Sequence, residues 1–79
     1  MTPEEFKSQL AEFLMVDPSE MTNDANLVEL GWDSLALLSV ISLAEETWGI
    51  EAEEADLNKC QTVAEMLHLF SGYLTGTSA

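Results

Sequence analysis

Near the start of the chain, Phe6, Leu10, Phe13 and Leu14 recur at i, i+4, i+7 and i+8, so they line one face of an α-helix. Thr2 stands where an N-cap is needed, Pro3 takes the first helical position, and Glu5 lies three residues beyond the cap. That order predicts a capping box, with the proline where its missing N–H is no loss. Asp17-Pro18 is expected to close the helix, because the residue before a proline is pushed out of the α region.

A second helix is expected from about Ser34 to Trp48, stopped by Gly49. At about 100° per residue, Leu37, Val40, Ile41, Ala44 and Trp48 fall in one arc, which is the core face. Leu35, Leu38, Ser39, Ser42, Glu45 and Glu46 fall on the other side. Two leucines rimmed by serines and carboxylates are more than a solvated face needs; either they meet a partner or the preceding loop covers them. The last helix repeats the first one's opening, with Thr62 as cap and Glu65 three residues on. Val63, Met66, Leu67, Phe70 and Leu74 form its stripe, which fades into a small polar tail.

The stretch from Ser19 to Leu30 has no clear period and reads as a long loop pinned by Leu27 and Leu30. Glu53 to Leu57 predicts one short turn of helix, and no segment alternates as a strand does. The expected fold is all-α: a small four-helix bundle of three main helices, one short helix and a long first connection. A single domain spans 1–79, with a helical core over about 3–75 and a flexible tail at 76–79.

Charge narrows the partners. Fifteen Asp and Glu face only Lys7 and Lys59, giving −13 on 79 residues, 47% of them hydrophobic. Such a surface repels phosphate backbones and anionic headgroups, which disfavours nucleic acid and membrane surfaces and favours a basic protein patch. The longest apolar run, Leu35 to Ala44, is broken by Ser39 and Ser42 and is too short to span a membrane. The first residues lack the basic and apolar regions of a secretory signal, and one cysteine makes no internal disulfide. An intracellular, cytoplasmic protein is expected.

Catalysis finds little support. A nucleophilic Ser34 needs a base, His68 is the only histidine, and no Gly-x-Ser-x-Gly elbow exists because position 36 is Ala36. No metal site is expected: Cys60 and His68 are too few soft ligands for zinc. The polar loop from Asp17 to Glu29 also misses calcium-loop spacing, with Met21 and Thr22 at ligand and turn positions. Cys60, beside the single cation Lys59, reads as a small half-buried residue.

Gly31-Trp32-Asp33-Ser34-Leu35 remains. Glycine allows a tight turn, Asp33 suits the positive end of the following helix, and Ser34 enters its first turn. A serine there is commonly just a cap of the helix. The same geometry also holds its hydroxyl outward, where backbone N–H groups and the helix dipole support an attached phosphate.

This stretch resembles the Gly-x-Asp-Ser-Leu motif of the acyl carrier protein family. It stands in the same order, after a capped helix and long loop and before a helix ending in Glu45-Glu46-Thr47-Trp48-Gly49-Ile50. Thr62-Val63-Ala64-Glu65 resembles the opening of that family's last helix, and the likeness runs from about Pro3 to Leu74. The resemblance implies that Ser34 carries 4′-phosphopantetheine, transferred from coenzyme A by a phosphopantetheinyl transferase. The arm's thiol then holds acyl groups as thioesters. A monomer is expected, delivering them to acyl transferases, synthases and other acyl-processing enzymes with basic or apolar docking patches. Asp33, Leu35, Leu38, Ser42, Glu45, Glu46 and Glu29 are the expected docking residues, and Leu37, Val40, Ala44 and Trp48 the expected lining for an acyl chain.

Ala36 and Ser39 stand where the fatty-acid-synthesis pattern usually has carboxylates, and Trp32 where a small residue is common. Both departures look more like polyketide-type or other specialised carriers, while Asp33 in place of histidine argues against the peptidyl carriers. Two alternatives stay open: an unmodified adaptor that uses the second helix as a docking face, and a domain cut from a larger synthase. Met1 followed at once by a capping box favours a stand-alone chain.

Overall fold

The computed structural model describes residues 1–74. The expected tail at 76–79 and the last expected core position, 75, lie outside the described residues. Helix α1 covers Pro3–Leu14, and its capping box forms as the sequence predicts. The Glu5 N–H donates to Thr2 Oγ1 at 3.1 Å, and the Thr2 N–H donates to Glu5 Oε1 at 3.0 Å. The bond from the Thr2 backbone, then the one to its side chain, holds the Glu5 carboxyl below its ordinary range.

The end of α1 differs from expectation. The helix stops at Leu14, ahead of Asp17-Pro18, because Met15 turns left-handed at φ 59. Its N–H bonds back to Ala11 and Glu12, and the Val16 N–H reaches the Ala11 carbonyl at 3.0 Å. Asp17 instead caps a separate 3-10 turn at Pro18–Glu20, accepting from the Ser19 N–H at 2.9 Å. That bond lowers the Asp17 carboxyl in turn.

Helix α2 covers Ser34–Trp48, and Gly49 ends it at φ 69, where glycine is the unstrained residue. Helix α3, Glu54–Lys59, extends the single turn that was expected. Helix α4, Val63–Leu69, opens on the Thr62 capping box. It is shorter than its apolar stripe: Phe70 is already the C-cap, and Leu74 follows in a turn bonded to the Phe70 carbonyl at 3.1 Å. Among the described residues the fold is four helices with no strand, an all-α bundle.

The core is assembled from every element. Phe6, Leu10 and Leu14 of α1 meet Leu37, Val40 and Ala44 of α2, Leu57 of α3, and Val63 and Met66 of α4. Ala11 and Ala36 are also buried in this core. No polar or charged residue is buried among the described residues, so apolar burial carries this fold. Trp48 joins the helices at one end, its ring 6.1 Å from Phe6, 5.4 Å from Phe70 and stacked 5.5 Å from Tyr73.

The long connection is more ordered than its polar sequence suggests. Met21 and Leu27 are buried, and backbone bonds tie it to the start of α4. The Leu27 N–H donates to the Gln61 carbonyl at 2.8 Å, and the Val63 and Ala64 N–H groups donate to the Ala25 and Asn23 carbonyls. Loop and helix cap thereby hold each other, which fixes how the chain enters α2.

Candidate functional site

The approach to α2 is a series of tight turns. Asn26 Oδ1 accepts from the Val28 and Glu29 N–H groups, and the Gly31 N–H donates to the Val28 carbonyl at 3.1 Å. The Trp32 N–H returns to the Leu27 carbonyl at 2.9 Å. Gly31 has φ 104, a conformation that side chains rarely adopt, and the spot where a Cβ would stand is 3.9 Å from the Leu14 carbonyl oxygen. Glycine at this position lets the chain turn close beneath the end of α1.

Asp33 is the N-cap of α2, and its Oδ1 accepts from the Ala36 N–H at 2.9 Å. Ser34 follows as the first helical residue and is exposed. Its hydroxyl has no hydrogen-bond partner among the described residues, so Asp33 does the capping and leaves the serine unengaged. The Ser34 and Leu35 N–H groups, in the first turn, likewise have no partner among the described residues.

The predicted outward residues lie where the periodicity places them. Glu29, Asp33, Leu35, Leu38, Ser42, Glu45 and Glu46 are all exposed. Leu35 is 74% exposed and Leu38 54%, so the long loop covers neither. Leu35, Leu38, Ser42 and Glu46 share the wall of a groove of about 390 Å³ between α2 and α1. Glu29 belongs to the loop, and Glu45, exposed on the same outward face of α2, does not line the groove. The Ser39 hydroxyl folds back onto the Leu35 carbonyl at 2.8 Å, which removes a polar group from that wall.

Ala36 lies apart from these outward residues. It is 1% exposed and faces inward, so it offers nothing to the docking surface. The expected acyl-lining residues Leu37, Val40 and Ala44 are buried in the core, with Trp48 half-buried in the aromatic cluster. On the opposite wall of the groove, Phe13 and Gln9 of α1 were not expected to take part. Phe13 was assigned to the core stripe, but it stands at that stripe's edge and is only half-buried. Cys60 is half-buried; burial first, then Glu65 and Asp56, raises its thiol above the ordinary 9.0. His68 is exposed on α4.

These features belong to a small helical carrier domain that presents a hydroxyl at a helix start. Comparison with known proteins agrees: the family described as phosphopantetheine attachment site matches residues 4–70. An acyl carrier protein of Thermotoga maritima is 39% identical over 62 residues, which cover 77% of this chain and 76% of that protein. A non-reducing polyketide synthase of Byssochlamys spectabilis is 50% identical over 42 residues, 53% of this chain and 2% of the synthase. The chain belongs to the acyl carrier protein family, whose prosthetic group is covalently attached 4′-phosphopantetheine.

The residues present fit that group. An exposed hydroxyl suits a phosphodiester link, and two open N–H groups in the first turn of a helix of 15 residues suit the phosphate oxygens. Among the described residues no helix is long and apolar enough to cross a membrane.

Proposed function

We propose that Ser34 is the attachment residue and that this chain carries acyl groups between enzymes of fatty-acid-like or polyketide-like biosynthesis. The observation that carries the reading is the unengaged, exposed Ser34 hydroxyl at the start of α2 inside Gly31-Trp32-Asp33-Ser34-Leu35. In the attachment step the Ser34 oxygen bonds to the phosphorus of coenzyme A that bears the pantetheine. The phosphoanhydride bond breaks, adenosine 3′,5′-bisphosphate leaves, and the hydroxyl proton passes to a base of the transferase. Once bound, the arm supplies a thiol that holds an acyl group as a thioester.

The chain's own residues handle presentation. Asp33 rigidifies the first turn so that the link projects from one fixed point. Leu35 and Leu38 offer apolar anchors, and Glu29, Glu45 and Glu46 a negative rim, to a basic-edged partner surface. The domain recognises and delivers; partner enzymes catalyse. It works as a monomer in the cytoplasm, one domain over 1–79. The polyketide side of the reading draws on Trp32, on Ala36 and Ser39 at the positions after the serine, and on the partial likeness to a polyketide synthase.

Incubation with coenzyme A and a broad-specificity phosphopantetheinyl transferase, read by intact mass, tests this. One phosphopantetheine increment is expected on the wild type and none on Ser34→Ala. A folded wild type that gains no mass with a range of active transferases contradicts the carrier reading and favours an unmodified adaptor.

A further inference from the structure

One carboxylate at the start of α4 is linked through the backbone to the turn that leads into α2. Glu65 Oε1 accepts from the Gln61 N–H at 3.2 Å, the Thr62 N–H at 3.1 Å and the Thr62 hydroxyl at 3.3 Å. A capping box needs only the second of these. The Thr62 N–H and the Gln61 carbonyl belong to one peptide plane, and that carbonyl accepts from the Leu27 N–H at 2.8 Å. This is the shortest backbone bond outside the helices among the described residues, and it flanks the antiparallel bridge between Asn26 and Thr62. The Leu27 N–H shares its own plane with the Asn26 carbonyl, which accepts from the Leu30 N–H at 3.1 Å. Three bonds in line thus run from Glu65 through two peptide planes to Leu30, four residues before Ser34.

Each link strengthens the next. An anion on an amide N–H draws charge toward the carbonyl oxygen of the same plane, and bonds in such a chain reinforce one another by about 10–30% each. The far end of the chain is the turn from Leu27 to Gly31. The Asn26 side chain closes that turn by accepting from the Val28 and Glu29 N–H groups, and the Trp32 N–H returns to the Leu27 carbonyl. Val28, 71% exposed, and the exposed Glu29 both stand on it. Helix α2 has its own cap in Asp33, so the bonds from Glu65 do not hold the serine in its helix. They hold the loop edge that an enzyme meets beside the serine.

We infer that Glu65 is a positioning residue for the attachment reaction: through the Gln61–Thr62 and Asn26–Leu27 peptides it fixes the Leu27–Gly31 turn against α4, so that the surface beside Ser34 has one arrangement. This rests on attachment at Ser34. A turn that is already ordered need not be ordered on docking, so the gain falls in binding of the carrier to its transferase and not in the transfer step.

Amide proton NMR shifts of the apo protein and the kinetics of arm attachment test this on the full chain, with Glu65→Ala and Glu65→Gln beside Glu5→Ala and Glu5→Gln. Glu5 holds the same place in the capping box of α1, bonded to Thr2, and its loss removes the same charge. The Thr62, Leu27 and Leu30 amide protons are expected to move upfield, further in Glu65→Ala than in Glu65→Gln, which keeps a neutral acceptor. The KM for the carrier rises about two- to tenfold in Glu65→Ala, the worth of one hydrogen bond, with kcat unchanged. Glu65→Gln falls between it and the wild type, and carries the test should Glu65→Ala fail to fold. The Glu5 variants leave KM and the three amides where they were; a KM raised equally by them overturns the inference in favour of lost charge. A moved Thr62 amide with Leu27 and Leu30 unmoved reduces Glu65 to a cap and overturns it. A raised KM without those shifts means direct contact with the transferase, and shifts without a raised KM mean no role in attachment; both overturn it. Intact mass of the wild type is the separate check: a wild type that takes no arm overturns attachment itself, while the shifts of the apo protein still decide whether Glu65 reaches the turn.

Discussion

Met15 ends α1 in the left-handed conformation, φ 59, with its side chain 91% exposed. A side chain with a Cβ gives up about 1–2 kcal/mol in that region, and the exposed thioether recovers none of it by burial. Met15→Gly is therefore expected to stabilise the protein by about 1 kcal/mol, less the extra freedom glycine gains when unfolded. Net of that freedom, a melting temperature higher by at most about 5 °C is the corresponding reading for a domain this size. At Gly31, φ 104, glycine already stands where it is needed. This is why the approach to Ser34 was legible: a glycine, a cap and a serine in order imply the turn and the helix start. Met15 gave no such signal, and Asp17-Pro18 offered a plausible stop just beyond it. The bonds from Met15 and Val16 to Ala11 end the helix first.

Among the elements, starts were easier to foresee than ends. Thr2 and Thr62 cap as their sequence positions imply, because one side-chain oxygen satisfies an N–H that the helix cannot, whereas at α2 the cap is Asp33 and not the serine after it. Stripes say less about length: the apolar pattern of α4 runs on to Leu74, yet its helical bonding stops at Leu69 and a turn delivers Leu74. The groove was also only half legible. Leu35 and Leu38 announced themselves as outward leucines, whereas the facing wall of Phe13 and Gln9 depends on how α1 lies against α2. Thr62 has a wider role than its own helix, since the loop bonds to Gln61, Val63 and Ala64 on either side of it. Thr62→Ala should cost about 1 kcal/mol or somewhat more. Thermal melting checks it, and amide shifts in the loop, from Asn23 to Leu27, should move along with those of α4.

For the whole molecule, charge sets the terms. The described bundle measures 27 × 26 × 19 Å, and the chain carries −13. At about 0.01 M salt the screening length is roughly 30 Å, so every carboxylate feels every other; at about 0.15 M it falls to roughly 8 Å. The melting temperature should thus rise over that interval, and a melting temperature that salt leaves unchanged would count against self-repulsion as a cost to this fold. The same field draws the domain toward basic partner surfaces, with the unengaged Ser34 at the start of α2 as the point of delivery. That placement is the centre of the account, and fragmentation of the protein after treatment with coenzyme A and transferase tests it most directly. The account predicts a peptide spanning Gly31 to Leu35 that bears the phosphopantetheine and releases it as a characteristic ion. The same arm found on any other serine, such as Ser39 or Ser42, would contradict it.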